Sequence, residues 1–223
     1  MASEKRCSTS YLIFGASLRH GSLNDRLASL AASVVEEKGG TVDRVQMSDL
    51  DCPSYNHDVE AGTGIPAGAD RLRSKLISND AFIISAPEYN ASMSGVLKNV
   101  IDWVSRYRPQ PLKGKAGFLM SASPSMAGGK AGLWALRVPL EHLGARLYPD
   151  MFALAQAHEA FDANGRIADA KLQEWFESTL DCFIDAVEAV KHYPKMKTQW
   201  IEFLGERPTP ETERVETSMV PKA

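Results

Sequence analysis

The chain is short of the features that would assign it quickly. Its 223 residues include three cysteines, Cys7, Cys52 and Cys182, an odd number, widely separated and without a C-x-x-C pair. A cysteine-held zinc site and a thiol–disulfide exchange centre both lose their basis, and a reducing cytoplasm becomes the expected setting. The five histidines show no H-x-H, H-x-x-x-H or H-E-x-x-H spacing, so no protein-held metal is expected. No apolar stretch reaches spanning length, and the polar start over 1–10 does not read as a signal peptide. Neither sign of charge dominates. With 25 Lys and Arg against 28 Asp and Glu, the formal net charge is −3, and nothing electrostatic points to nucleic acid or an anionic membrane as a partner. Two nucleotide motifs are missing as well. The residue after Gly21 is Ser22 and no lysine follows, so there is no Walker loop, and G-x-G-x-x-G does not fit either.

What is present is 44% hydrophobic residues in a chain long enough for one sizeable domain. Short apolar runs at 11–14, 41–46, 81–86, 116–121 and 145–154 alternate with helical patterns at 24–38, 67–79, 94–106 and 130–143, and a final helix is expected over 169–192. The last apolar run carries Pro149 and should be interrupted there. Strict alternation of buried strands and amphipathic helices predicts an α/β, doubly wound, five-stranded parallel sheet with helices on both faces. In such a sheet a ligand sits beyond the carboxyl ends of the strands, so the loops after strands one, three and four carry the functional expectation.

Those loops are unusual in composition. The first, Gly15-Ala-Ser-Leu-Arg-His-Gly-Ser-Leu-Asn24, leads from an apolar strand into a helix. It offers the hydroxyls of Ser17 and Ser22, the amide of Asn24, free helix-start N–H groups near Leu23, a fixed charge on Arg19 and a flexible backbone at Gly21. That set can hold a phosphate dianion without a metal; the same Ser and Asn can equally cap the helix and do nothing more. Since the triphosphate and dinucleotide motifs are absent, a mononucleotide phosphate is the better match. The second loop, Ala86-Pro-Glu-Tyr-Asn-Ala-Ser-Met-Ser-Gly95, has a turn fixed at Pro87, a carboxylate at Glu88, a flat face with a polar tip at Tyr89, and backbone N–H groups from Asn90 onward. The third, Ser121-Ala-Ser-Pro-Ser-Met-Ala-Gly-Gly129, is again small and glycine-rich at a helix start. Tyr89 can also be a packing residue, and Gly128-Gly129 a linker. Asn90-Ala91-Ser92 matches a glycosylation sequon but has no role in a cytoplasmic loop.

The G-S-x-R-x-x-S-x-N pattern of loop one and the P-E-Y-N-x-S-x-x-G-x-L-K-N-x-I-D-W run that starts at Pro87 resemble the NAD(P)H-dependent FMN reductase family, a flavodoxin-like group that includes quinone, chromate and azo-dye reductases. The resemblance covers about 11–190. Ala16 interrupts the family's Gly-Ser, yet Ser17, Arg19, Ser22 and Asn24 keep their mutual spacing. It implies that Ser17, Arg19, Ser22, Leu23 and Asn24 hold the FMN phosphate. Pro87, Glu88, Tyr89 and Asn90 would line the ribityl chain and isoalloxazine, and Ser121, Ser123, Gly128 and Gly129 would close the other side. No catalytic side chain is expected, because flavin N5 carries the chemistry. Gly95, Leu97, Lys98, Ile101 and Trp103 are expected to be structural.

The implied activity is ping-pong hydride transfer from NADPH or NADH, through FMN, to a small-molecule electron acceptor: a quinone, azo compound, metal oxyanion or free flavin. Arg106, Arg108 and Lys113 are candidates for the NADPH phosphate, and a solvated basic face explains them equally well. A homodimer or homotetramer is implied. Two alternatives stand beside this: a flavodoxin-type electron carrier, against which Arg19 and the mild charge argue, and a flavin-free assembly or regulatory module. The organisation expected is a disordered N-terminus over 1–10, a flavin-binding domain over 11–192, and an extension over 193–223 that is partly disordered or an intersubunit arm.

Overall fold

The computed structural model describes residues 9–192. The chain divides into a unit Met1–Val187 and a second, Glu188–Ala223, of which 188–192, the end of the last helix, is described. The expected extension over 193–223 and the first eight residues lie outside the described part. Thr9 is buried and Ser10 opens the first strand.

In chain order the elements are β1 (Ser10–Gly15), α1 (Leu23–Glu37), β2 (Thr41–Arg44), a 3-10 turn (Met47–Asp49), α2 (His57–Thr63), α3 (Ala67–Ser78), β3 (Ala81–Ser85), β4 (Glu88–Tyr89), β5 (Ser92–Met93), α4 (Gly95–Val104), β6 (Ala116–Ala122), α5 (Lys130–His142), β7 (Arg146–Leu147), β8 (Phe152–Leu154) and α6 (Ala170–His192). The main sheet runs β2-β1-β3-β6-β7, all parallel, and β8 also pairs with β6. β7 lies along Ala116 and Gly117 and β8 along Met120 to Ala122. They are two halves of one strand position, parted by the segment that holds Pro149, which has no N–H to give to a ladder. Five strand positions in the order 2-1-3-4-5 make a flavodoxin-like sheet whose order reverses between β1 and β3.

The strands sort the core by alternation. Tyr11 and Ile13 of β1 point to the face covered by α1 and α6, with Leu27, Phe176 and Phe183, whereas Leu12 and Phe14 point to the face covered by α3, α4 and α5, with Leu72, Leu97, Trp103 and Leu133. Central strands apolar on both sides must be covered on both sides, and this fixes the three-layer architecture. α6 starts at Ala170 because the Asp169 carboxylate accepts from the Lys171 and Leu172 amides at 2.9 and 3.0 Å, an N-terminal cap.

Before β3, two pieces depart from the sequence expectation. β2 ends at Arg44 rather than 46, and α2 was not foreseen: none of its residues is buried, so it carries no apolar stripe to read. Only the half-buried Val59 packs against the core, and polar bonds do the rest. Glu60 accepts from Tyr55 Oη at 2.9 Å and from Arg106 Nε at 3.1 and 3.0 Å. Burial alone would raise the Glu60 carboxyl, but these donors and His57 outweigh it and hold the group below its ordinary value. A depressed carboxyl contributes stability that is present above the unfolded value, about 4.3, and is lost as pH falls through the folded one. Glu60→Gln should therefore be less stable than the parent at pH 7, and denaturant melts at pH 3 should bring the two together. A gap of the same size at both pH values would remove the ion pair as its cause.

Candidate active site

Loops one, two and three leave the carboxyl ends of β1, β3 and β6, which are adjacent in the sheet, so residues far apart in sequence converge on one edge. In loop one, the backbone N–H groups of Ser17, Leu18, His20, Gly21, Ser22 and Leu23 donate to no acceptor among the described residues. The Arg19 N–H reaches Ser17 Oγ at 3.3 Å, and Ser22 Oγ caps α1 by accepting from the Asn24 amide at 3.2 Å. The exposed guanidinium of Arg19 has no acceptor or ion-pair partner among the described residues. Six unclaimed donors, a helix start and an unneutralised cation within one turn of chain form a site for an anion.

The loop is fastened underneath. Gly15 lets β1 run against the first turn of α1: a Cβ there would lie 2.7 Å from Asp25 Cα and 2.8 Å from its nitrogen. Ser94 Oγ, 1% exposed, donates to the Ala16 carbonyl at 3.1 Å and so ties the start of α4 to loop one. Asn24, expected among the phosphate ligands, is 3% exposed and its amide is bonded to Ala122 and Ser85.

Loop two folds into a feature that the sequence did not announce, an antiparallel hairpin of β4 and β5. Its tip, Asn90 and Ala91, has two successive positive φ angles of 52° and 59°, the conformation a two-residue hairpin turn needs and one that Asn-Gly usually signals. With Ala at the second place the signal is weak, and the turn carries backbone strain beside the site. Pro87 is buried, Tyr89 is 55% exposed, and the Glu88 carboxylate accepts from the Gly132 amide in the first turn of α5 at 2.8 Å. Glu88 thus completes a helix start that has no side-chain cap of its own. Gly132 makes the docking possible, since a Cβ there would come within 3.0 Å of Glu88 Cβ and of the Ser92 carbonyl.

In loop three, Ser121 is fully buried, and its Oγ has no hydrogen-bond partner. Gly129, with φ +87°, leaves the space beside it: a Cβ would stand 2.1 Å from that oxygen. Gly128, with φ +65°, passes so close to the next strand that a Cβ would lie 2.9 Å from the Ala153 carbonyl group. Ser123 Oγ bonds Ser125. An orphaned buried hydroxyl, two left-handed glycines and a row of unclaimed amides fit a ligand that brings both an anionic group and further polar atoms.

The structure thus brings together Ser17, Arg19, Ser22, Leu23, Pro87, Glu88, Tyr89, Asn90, Ser121, Ser123, Gly128 and Gly129 on the loops of one sheet edge. It does not bring Arg106, Arg108 and Lys113 there. They lie between the end of α4 and the start of β6, where Arg106 is paired with Glu60 of α2 and Lys113 stands beside Gly144 after α5. Spacing along a sequence cannot show that an intervening helix carries the chain back across the sheet. The ionisable side chains on the three loops are Arg19, His20, Glu88 and Tyr89. Among the described residues no cluster of three or more His, Cys, Asp or Glu could hold a metal ion, and no helix is long and apolar enough to cross a membrane.

Residues 9–159, which hold all three loops, match the family described as NADPH-dependent FMN reductase. An NAD(P)H-dependent FMN reductase of Pseudomonas aeruginosa is 37% identical over 165 residues, 74% of this chain and 87% of that protein. A probable NADPH:quinone oxidoreductase of Oryza sativa is 34% identical over 169 residues, 74% of this chain and 81% of that one. Among solved structures, a flavoenzyme NAD(P)H:(acceptor) oxidoreductase from Paracoccus denitrificans has 28% identity and a TM-score of 0.69, covering 81% of this chain and 98% of that chain.

Proposed function

The chain belongs to the NADPH-dependent FMN reductase family, which makes it an FMN oxidoreductase that works with NAD(P)H, and from that premise we propose how its own residues divide the work. The observation that carries the assignment is the row of amides between Ser17 and Leu23, six of them unclaimed, around an Arg19 side chain that has no partner among the described residues. Arg19, the loop amides and the Ser17 and Ser22 hydroxyls hold the FMN phosphate. Pro87, Tyr89 and Asn90 of the hairpin flank the ribityl chain and ring, and Ser121, Ser123, Gly128 and Gly129 border the other side. Glu88 acts through α5, holding the hairpin in place. When bound, FMN supplies the redox chemistry, accepting a hydride at N5 and passing electrons to an acceptor. The protein orients, offers N–H donors where negative charge develops, and limits access.

Leu18, Tyr89 and Met126 are 47%, 55% and 77% exposed on loops one, two and three and give the site an apolar rim suited to flat substrates, a nicotinamide and then a quinone or azo compound in turn. A single slot used in turn predicts ping-pong kinetics. NADPH oxidation at several quinone concentrations should give parallel double-reciprocal lines, and an azo dye should compete with the quinone. Intersecting lines would mean that donor and acceptor bind together. A protein that binds FMN but oxidises NADPH no faster with a quinone present would instead be an electron carrier. On α5, Trp134 and Val138, one turn apart and 57% and 69% exposed, offer a second copy of the chain an apolar stripe next to the hairpin. This supports a homodimer or homotetramer, and a cytoplasmic setting agrees with the unpaired cysteines Cys52 and Cys182.

A further inference from the structure

Asn24 stands in the loop-one pattern beside Ser17, Arg19 and Ser22, yet its carboxamide is engaged elsewhere. Oδ1 accepts from the Ala122 amide at 3.0 Å and from Ser85 Oγ at 3.0 Å, and Nδ2 donates to the Ala122 carbonyl at 2.9 Å. Paired bonds to both the N–H and the C=O of one residue are what a neighbouring strand residue would make, so the side chain takes that place beside the end of β6, just past the end of β3. Its partners close the two neighbouring strands: Ser85 ends β3 and Ala122 ends β6. Loop two begins at the residue after Ser85, and Ala122 is the second residue of loop three, where β6 gives way to it. One buried carboxamide at the end of loop one therefore joins the roots of all three loops.

We propose that Asn24 is a positioning residue that sets the three flavin loops relative to one another, so that contacts to the flavin ring and to the phosphate both depend on it, while the phosphate itself is received by Arg19 and the loop amides. This rests on the reading of the edge as an FMN site. The chemistry requires a carboxamide. Aspartate would set a carboxylate oxygen against the Ala122 carbonyl. Alanine would leave the Ala122 N–H and C=O and the Ser85 hydroxyl unpaired in a buried place, where unmade bonds are costly. Either change frees the strand ends to shift apart, and a site misplaced by a fraction of a bond length binds less well.

The test compares FMN with riboflavin, which has the same ring and ribityl chain but no phosphate, on the full-length chain, by fluorescence of the flavin released at equilibrium. Asn24→Ala should weaken both by about tenfold, leaving the preference for FMN over riboflavin nearly unchanged. Ser85→Ala, which removes one of the three bonds, should move both affinities in the same direction by less and remains informative if Asn24→Ala does not fold. A loss of FMN affinity with riboflavin unaffected would make Asn24 a phosphate ligand and overturn the proposal. Unchanged affinities with a lowered melting temperature would reduce it to a stabilising residue and overturn it equally. If the parent chain binds neither flavin, the reading of the edge as an FMN site fails before this one is reached.

Discussion

Arg19→Ala is expected to weaken FMN binding by about ten- to a hundredfold while leaving the fold as stable as before. A charge-assisted contact to a phosphate is worth about 1.5–3 kcal/mol, and each ~1.4 kcal/mol is a factor of ten in the dissociation constant. The fold should not notice, because the side chain is exposed and has no partner among the described residues, and such surface changes usually stay within about 0.5 kcal/mol. Riboflavin affinity should hardly move, so the preference for FMN collapses in this variant, the opposite of what is expected for Asn24→Ala. Raising the salt concentration should reduce FMN affinity in the parent more than in the variant. Fluorescence titration with both flavins, with a thermal melt alongside, checks all of this. FMN retention equal to that of the parent would take the phosphate away from loop one.

Gly15→Ala should damage fold and cofactor binding together. The added methyl would meet Asp25 Cα at 2.7 Å, Asp25 N at 2.8 Å and the Asn24 carbonyl carbon at 2.9 Å, all backbone atoms that cannot rotate away. The first turn of α1 must move off β1, and it carries Leu23 and Asn24 with it. Overpacking of this kind costs roughly 1–3 kcal/mol, or about 2–4 °C in melting temperature for each kcal/mol in a domain of this size. FMN affinity should fall as well, because the amides of 22 and 23 move with the helix. Gly95→Ala is the control. A Cβ at Gly95 meets nothing within 4 Å, and alanine favours a helix over glycine, so this variant should melt no lower than the parent. Equal behaviour of the two variants would show that close packing at Gly15 does not hold the loop.

Glycine serves different ends around this site. At Gly15 and Gly132 the backbone is ordinary and the need is for room, so that a helix can touch a strand and a hairpin can touch a helix. At Gly128 and Gly129 there is in addition a left-handed backbone, which lets loop three turn back over Ser121. The strained hairpin tip at Asn90 and Ala91 holds its shape because its base is clamped through Glu88 to α5.

The sequence by itself determined the layer architecture, the number of strand positions, the break in the last strand at Pro149, and which three loops share one edge of the sheet. Those features are local: an apolar run buried on both faces, a helical stripe and a proline without an N–H carry their meaning within a few residues. The row of donors in loop one was legible for the same reason, since they lie within one turn of chain. Only the tertiary structure decided what each polar side chain binds. Asn24 reads as a ligand in its motif, and becomes a brace because Ala122, 98 positions away, arrives with an unmatched N–H and C=O. Glu88 reads as a loop carboxylate along the flavin, and its carboxylate meets the Gly132 amide because α5 starts beside it. Arg106, Arg108 and Lys113 read as a basic group near the site, and belong to none of its three loops because they lie between α4 and β6, with Arg106 paired to Glu60. A side chain's chemistry is written in the sequence, but hydrogen bonds form between groups that the fold brings together, and for these residues the partners come from elements that local pattern does not relate.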